Sequence, residues 1–213
     1  MATAACSFPF WAIAVSHLAL GTGLAMFYTH AVAYLVQQGF EKLVSASIFG
    51  MIGVMRFGGT MLWGYVSDRL GRSRTFAIST TINATGLLFL LAVSPDSPHW
   101  FAYAFALLFG IGHSAGNPIS ATTIADIFAG NKIGTIYGFL EISFGVGMAL
   151  GAWLGGHVYD VTGSYRWAFA VGLVSFVVAY LCIRLSMAWH QSDLASSRMS
   201  VTSDRNPPAN VHS

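Results

Sequence analysis

The stretch from Gly64 to Arg74 reads Gly-Tyr-Val-Ser-Asp-Arg-Leu-Gly-Arg-Ser-Arg, and it concentrates charge between two long apolar segments. Its pattern is G-x-x-x-D-R-x-G-R-x-R. The first glycine lets two helices approach closely, and the second permits a tight reversal of the chain. The aspartate can accept hydrogen bonds from the N-terminus of a neighbouring helix. The spacing therefore predicts a short polar turn between two apolar helices, because a solvated run of charges would not need both glycines.

The composition of the whole chain is that of an integral membrane protein. Of its 213 residues, 55% are hydrophobic and 8% are charged, whereas about a quarter of the residues in a soluble domain are charged. The formal net charge of +2 is too small to indicate nucleic-acid binding. The cysteines, Cys6 and Cys182, lie near opposite ends of the chain and indicate neither a disulfide framework nor a metal site. No cluster with metal-ligand spacing and no nucleotide-binding loop is present in the sequence, so we expect neither a metal nor a cofactor.

Six segments are long and apolar enough to cross about 30 Å of hydrocarbon as helices. Short connections separate them, which leaves no room for a soluble domain. The composition becomes polar after Trp189, so we expect a six-helix transmembrane bundle over residues 1–189 and a disordered cytoplasmic tail over residues 190–213. The predicted spans are residues 9–36, 43–66, 75–93, 100–126, 134–158 and 167–189.

The lysines and arginines predict the orientation, since cytoplasmic loops carry an excess of them. The side that holds both predicted termini carries seven basic residues, against two on the other side. Both termini are therefore predicted to be cytoplasmic. The seven are Arg69, Arg72, Arg74, Lys132, Arg184, Arg198 and Arg205, and the two are Lys42 and Arg166.

An internal repeat appears when the sequence is shifted by 92 residues, which aligns the second and fifth spans and the turns that follow them. The second copy lies three spans after the first, and an odd offset reverses the direction across the membrane, so one turn would lie inside and the other outside. The pattern predicts an all-α membrane protein with six transmembrane helices in an inverted three-plus-three repeat. The identical pairs are Gly53/Gly145, Gly59/Gly151, Leu62/Leu154, Gly64/Gly156, Val66/Val158, Asp68/Asp160, Gly71/Gly163 and Arg74/Arg166.

Arg56 falls near the middle of the second span, where a guanidinium costs at least about 2.5 to 3.5 kcal/mol. One interpretation is that Arg56 faces a water-filled cavity and binds the carboxylate of a small organic anion, for which its planar fork of donors is suited. The other is a structural pair with Glu141, which would lie at a similar depth. Both interpretations can hold if Glu141 releases Arg56 when substrate or a proton arrives.

Further polar residues within the spans are candidates for contact with a ligand, among them His17, Asn83 and His113. For three others, the sequence gives a reason to expect the same cavity. His30 and Tyr34 lie four residues apart on one face of the first span. Asn117 precedes Pro118, which interrupts the fourth span and frees a backbone carbonyl. For each of these residues, hydrogen bonding between helices is the alternative to contact with a ligand.

Glycine-rich motifs in the fourth and fifth spans are interpreted as packing motifs. The sequence Gly112-His-Ser-Ala-Gly116 matches the G-x-S-x-G of serine hydrolases, but a nucleophile elbow needs a strained strand-to-helix turn and this pentapeptide lies in an apolar span predicted as uninterrupted helix here. An intramembrane serine hydrolase is therefore a remote alternative, and we expect no catalytic residues. The four-residue spacing of Gly147, Gly151 and Gly155 predicts backbone-to-backbone packing of helices.

The Gly64–Arg74 turn resembles the hallmark loop of the major facilitator superfamily, the cytoplasmic turn between the second and third helices of each six-helix half. The resemblance implies a secondary transporter that works in the lipid bilayer by alternating access, with its site between two such halves. A second half is then expected, either a copy of this chain or a separate chain. The resemblance implies a role in the conformational switch for Gly64, Asp68, Arg69, Gly71, Arg72 and Arg74.

A narrower resemblance is to the C-terminal half of the monocarboxylate and oxalate/formate transporter group. It is carried by His30-Ala-Val-Ala-Tyr34-Leu, by the mid-helix Arg56, and by Tyr159-Asp-Val-Thr-Gly-Ser-Tyr165. It implies that Arg56 binds the substrate carboxylate. Ile52 stands where animal monocarboxylate carriers have an acidic residue, and the fifth span lacks the lysine used with dicarboxylates, so a monocarboxylate is favoured over oxalate. The alternative is a non-transporting fragment that binds or regulates a full-length carrier.

Overall fold

The computed structural model describes the backbone of residues 7–128 and 133–205, and the side chains of those residues except 73, 117–120, 126, 190, 191 and 193–205. The described backbone is built from helices joined by short connections. These helices are α1 (Phe8–Gln37), α2 (Lys42–Leu70), α3 (Arg72–Ala92), α4 (Trp100–His113), α5 (Gly116–Ile127), α6 (Ile133–Thr162) and α7 (Tyr165–Arg205).

Five of the described helices are long and apolar enough to cross a membrane, and α4 is a shorter apolar helix. The structure thus confirms the predicted all-α class and the multi-pass membrane character. The apolar part of α7 is Tyr165–Trp189, close to the predicted sixth span, and its helical backbone continues to Arg205. The division into a bundle and a disordered tail stays a prediction, and residues 206–213 lie outside the described part of the chain.

The predicted fourth span is two helices instead of one. Ser114 and Ala115 form a turn between α4 and α5, so the expectation of an uninterrupted helix through Gly112–Gly116 is wrong. Proline has no N–H to donate to the carbonyl four residues earlier, and for Pro118 that carbonyl belongs to Ser114. The break therefore lies upstream of the Asn117-Pro118 pair that was expected to interrupt the span.

Gly71 alone separates α2 from α3, which makes the turn shorter than predicted. Its φ of 82° lies in the left-handed region, so the expected need for glycine is confirmed there. Two other expectations for this turn are not met. Among the described residues, a side chain at Gly64 would contact nothing within 4 Å. Asp68 is exposed and accepts no hydrogen bond from any of these residues. The turn is instead tied to α5 by Arg72, whose Nη1 donates to the carbonyl of Thr122 at 3.2 Å.

The helix α1 lies at the centre of the bundle and packs against α6 and α7. Side chains larger than hydrogen at Gly147 and Gly151 of α6 would collide with the α1 backbone at Leu18 and Thr22. At Gly155, a side chain would collide with the ring of His30. These contacts confirm the predicted backbone-to-backbone packing of the glycines in the fifth span.

The helices α2 and α6 are covered by the rest of the bundle on one side only. In the most apolar window of α1, 78% of the residues are buried, against 22% in α2 and 17% in α6. Arg56 of α2 and Glu141 of α6 thus belong to helices that the described chain leaves open on one face.

Candidate functional site

A cavity of about 180 Å³ lies among α1, α2, α4 and α6. It is smaller than the roughly 300–1,000 Å³ of sites for drug-sized ligands, so it suits a small molecule or one wall of a larger site. Its lining combines charged and polar groups with apolar side chains. The lining residues are His17, Leu20, Leu24, Tyr28, Arg56, His113, Tyr137, Glu141, Phe144 and Met148.

Arg56 projects from α2 into the wall of this cavity and is half-buried. Its Nη1 donates to the hydroxyl oxygen of Tyr28 at 3.5 Å, which is the long limit of a hydrogen bond. A guanidinium has five N–H donors, and within the described residues Arg56 makes no ion pair with Glu141. Most of its donors are therefore not engaged by protein acceptors in the described part of the chain.

Glu141 lies in the same cavity but faces α1. Its Oε1 is 4.0 Å from Nε2 of His17, and its side chain is 42% exposed whereas that of His17 is 5% exposed. The other ring nitrogen of His17, Nδ1, lies 3.0 Å from the carbonyl oxygen of Ile13, one turn earlier in α1. The structure does not show the predicted pair between Arg56 and Glu141. Arg56 instead contacts Tyr28, and Glu141 contacts His17 and accepts a hydrogen bond from the Tyr137 hydroxyl.

His113 closes one side of the cavity as the last residue of α4. Its ring is buried and stacks on Phe109, with ring centroids 5.9 Å apart and planes at 22°. Its edge meets the ring of Tyr28 with the centroids 6.3 Å apart. These aromatic contacts hold the His113 imidazole in the cavity wall that also contains Tyr28 and Arg56.

The remaining predicted site residues lie elsewhere. Nε2 of His30 lies 3.2 Å from the carbonyl oxygen of Ala152, and the His30 ring stacks on the ring of Tyr165. Tyr34 is buried, and its hydroxyl donates to the carbonyl of Val93 at 2.8 Å. Neither residue lines the Arg56 cavity. The backbone of Asn117 lies in α5, but its side chain is outside the described part of the structure.

The sequence indicated His17 as a candidate for ligand contact but did not place it beside Arg56, and it did not single out Tyr28. A signal for both is present in the spacing of His17, Leu20, Leu24 and Tyr28, because steps of three and four residues keep side chains on one face of a helix. The face could not be recognised as polar, since two of its four members are leucines.

The geometry gives no support to hydrolysis at the G-x-S-x-G motif. The Ser114 hydroxyl is buried and donates to the carbonyl of Ile111 at 2.6 Å. It packs against Gly59 of α2, where any side chain would collide with it. Among the described residues, no three histidine, cysteine or acidic side chains come together as a metal site.

Comparison with known proteins gives a family match across most of the chain. The sequence model of the Major Facilitator Superfamily matches residues 14–198. Monocarboxylate transporter 13 of Bos taurus is 26% identical over 165 residues, which is 76% of this chain and 38% of that protein. Protein spinster homolog 3 of Danio rerio is 32% identical over 113 residues, which is 52% of this chain and 22% of that protein.

Among solved structures, the crystal structure of tetrameric PepTSo2 resembles this fold with a TM-score of 0.71. The match has 18% sequence identity and covers 84% of this chain and 40% of that one. At this identity the likeness concerns the fold alone. This chain spans less than half the length of each of these relatives.

Proposed function

The chain belongs to the major facilitator superfamily, and from this premise we propose that it is a transporter half that carries a small monocarboxylate by alternating access. The family and its transporter relatives make it a transporter protein and not an enzyme. The substrate and the mode of transport are the proposal. One observation carries it: the guanidinium of Arg56 lines a cavity and keeps most of its donors free of protein acceptors in the described part.

The lining of the cavity supports a single carboxylate on an apolar body. Arg56 is the lining cation that is charged at every physiological pH, and its planar fork matches the two oxygens of one carboxylate. Leucine, phenylalanine and methionine side chains line the rest of the wall together with the polar groups. A second carboxylate would meet the acidic Glu141 in the same small space, so a dicarboxylate is disfavoured.

The proposed architecture is one half of a carrier, with an inverted three-plus-three repeat. Two observations support the repeat. Gly71 and Gly163 both adopt left-handed φ values, 82° and 69°, directly after α2 and α6. Gly59 of α2 packs closely against Ser114, in the turn after α4, and against Ile111 of α4, and its counterpart Gly151 of α6 packs closely against the backbone of α1 at Thr22.

The open faces of α2 and α6 support a second bundle opposite this one. In such an assembly, the cavity would lie between the halves, where alternating access requires it. The polar turn at Gly71 stays the proposed conformational switch. We propose that both termini are cytoplasmic, since the excess of arginine and lysine falls on their side.

Uptake by proteoliposomes tests the substrate. The purified chain is reconstituted, and the entry of radiolabelled acetate, pyruvate and benzoate is compared with that of oxalate and succinate. We expect uptake of at least one monocarboxylate and none of the dicarboxylates. Uptake of dicarboxylates alone would contradict the proposal.

Arg56→Lys tests the residue, with Arg184→Lys on α7 as the matched control. Lysine keeps the charge but loses the bidentate fork, so we expect apparent affinity to fall about tenfold, equivalent to about 1.4 kcal/mol. The control should transport like the wild type. Unchanged affinity and transport rate in Arg56→Lys would show that Arg56 does not bind the substrate carboxylate.

The competing function is that of a non-transporting protein that binds or regulates a full-length carrier. Equilibrium binding of the same labelled anions to the chain in nanodiscs separates the two functions. Binding without uptake indicates a half that needs a partner bundle. Neither binding nor uptake by a folded chain would favour the regulatory function.

A further inference from the structure

We propose that a groove between the ends of α3 and α7 binds one phospholipid, with its phosphodiester at Arg166 and an acyl chain along the seam between the two helices. The groove has a volume of about 380 Å³, within the roughly 300–1,000 Å³ of sites for small ligands. None of its residues lines the cavity that contains Arg56, so the lipid site is independent of the proposed substrate. The residues that line the groove are Leu91, Ser164, Arg166, Trp167 and Ala170.

The groove lies where the chain passes from the hydrocarbon into the headgroup region of the membrane. The apolar part of α7 begins at Tyr165, and α3 ends at Ala92. Both ends are on the side of the membrane opposite the Gly71 turn, from which α3 starts. Trp167 is 64% exposed, and tryptophan is enriched at the boundary between hydrocarbon and water. A groove at this depth is open to lipid headgroups and to the upper part of their chains.

Arg166 is held in place by the last turn of α3. The final four carbonyl groups of a helix have no N–H partner within that helix, and Leu91 lies next to the last residue of α3. The Nη2 of Arg166 donates to the Leu91 carbonyl at 2.9 Å. A cation near a helix C-terminus is also stabilised by the helix dipole. This contact joins α7 to α3 and fixes the guanidinium in the groove.

The positive charge of Arg166 is not balanced by an acidic side chain. Within the described part of the chain, no carboxylate lies within 4.0 Å of the guanidinium. The bond to Leu91 uses one of its five N–H donors. Ser164 adds a hydroxyl group, whose oxygen accepts from the backbone N–H of Arg166 at 3.3 Å. The groove thus combines a positive charge with hydrogen-bond donors, which together suit the phosphodiester of a lipid.

An apolar seam continues from the groove toward the centre of the membrane. Leu88 lies one turn before Leu91 on α3, and Val174 lies one turn after Ala170 on α7. Both are exposed, by 55% and 62%. Residues three or four apart share a face of a helix, so these side chains extend the two walls of the groove. An acyl chain would cover this seam, whereas a free phosphate ion would leave it uncovered.

Native mass spectrometry of the whole chain, freed of lipid in dodecyl maltoside, tests the site. Three probes separate the phosphate from the chains: dioleoyl phosphatidylglycerol, dioleoylglycerol without the phosphate, and inorganic phosphate without the chains. We expect one phosphatidylglycerol to bind at least about tenfold more tightly than dioleoylglycerol. An excess of inorganic phosphate should not displace it. Equal binding of the two lipids, or displacement by inorganic phosphate, would overturn the proposal.

Two variants change the two parts of the groove separately. Arg166→Gln removes the charge, and Ala170→Leu fills the apolar wall while it leaves the charge in place. Each should weaken binding of the first phosphatidylglycerol about tenfold. Wild-type binding in both variants would contradict the assignment to this groove.

Arg74→Gln is the matched control. Arg74 is exposed and lies in the first turn of α3, as Arg166 is exposed and lies in the first turn of α7. The control should bind phosphatidylglycerol like the wild type. If it weakens binding as much as Arg166→Gln does, the lipid is attracted by positive charge in general and the proposed site is wrong.

Fluorescence quenching shows where the lipid lies. Phosphatidylglycerol brominated near the ester end of its chains quenches nearby tryptophans, and subtraction of the Trp167→Phe spectrum isolates the emission of Trp167. We expect this emission to be quenched at the concentrations that fill the first lipid site, and to be quenched much less in Arg166→Gln. Should Arg166→Gln fail to fold, Ala170→Leu and the quenching of the wild-type chain decide the outcome. Trp167 emission that the bound brominated lipid leaves unchanged would place the lipid elsewhere and exclude this groove.

Discussion

Arg56 is a permanent charge on a helix whose neighbouring exposed side chains, such as Val54 and Phe57, are apolar. Its position is tolerable because the guanidinium borders a cavity with Glu141, His17 and Tyr28 in its wall. The long contact of 3.5 Å to Tyr28 holds the guanidinium only loosely. A side chain held in this way is able to turn toward a carboxylate without first breaking an ion pair.

Tyr34 is expected to contribute to the stability of the bundle and not to anion binding. Its hydroxyl is buried and donates at 2.8 Å to the Val93 carbonyl, just past the end of α3. Tyr34→Phe leaves that carbonyl without its donor, so we expect a loss of stability of about 1 kcal/mol. Anion affinity should not change, because Tyr34 does not line the Arg56 cavity.

The measurement is thermal unfolding of the chain in detergent, together with anion binding in nanodiscs. Tyr103→Phe, on the exposed side of α4, is the matched control and should alter neither quantity. If Tyr34→Phe keeps full stability but binds the anion more weakly, Tyr34 belongs to the binding site after all.

Single residues were predictable where the signal was a charge in an apolar span. Arg56 and Glu141 stand out in the sequence for this reason, and the structure places both in one cavity. The surroundings of His30 and Tyr34 were not predictable. They share a helix face as expected, but α1 is buried nearly all round, so its sequence does not show which neighbour covers which side.

At the scale of helices, the packing of α1 against α6 depends on glycines at particular positions. Gly151→Ala would place a methyl group against the backbone of Thr22. Because backbone cannot move aside as a flexible side chain can, we expect destabilisation of about 1–3 kcal/mol. Gly145→Ala, six residues earlier on the same helix, meets nothing within 4 Å among the described residues and should not destabilise the chain; the higher helix propensity of alanine should stabilise it by up to about 1 kcal/mol.

Thermal unfolding in a fixed detergent compares the two alanine variants directly. Equal effects would show that the α1–α6 contact does not limit stability. The pair is informative because both substitutions replace glycine by alanine within one helix, so differences in helix propensity cancel.

The limits of sequence reasoning at this scale are seen in the fourth span. Length and apolarity located the span, and α4 and α5 together occupy it. Its interruption was expected at Asn117 and Pro118 but lies at Ser114 and Ala115. Proline lacks the N–H that would donate to the carbonyl four residues earlier. The helix is therefore interrupted one turn before the proline and not at the proline itself.

For the whole molecule, the proposed repeat relates residues of α2 to residues of α6, both in the cavity and on the open faces. Arg56 and Met148 are 92 residues apart and both line the cavity. Val54 and Val146 have the same separation, and both are exposed, by 67% and 47%. These two pairs of positions thus have similar environments, as the proposed repeat requires. The pairing could be predicted from the sequence, but the partner proposed for the open faces could not, because its surface is not part of the described chain.

The distribution of arginine and lysine predicts how the whole bundle is oriented in the membrane. Seven basic residues on one side against two on the other give a strong bias, because segments rich in arginine and lysine stay in the cytoplasm. Single cysteines on a Cys6→Ser, Cys182→Ser background report it at two exposed sites. Asp96→Cys lies between α3 and α4, and Ser192→Cys follows the apolar part of α7. In intact cells, a membrane-impermeant maleimide should label Asp96→Cys, whereas Ser192→Cys should react only after permeabilisation. The reverse pattern would place the Gly71 turn outside the cell, and labelling of both sites in intact cells would show mixed insertion; either result contradicts the orientation set by the arginine and lysine bias.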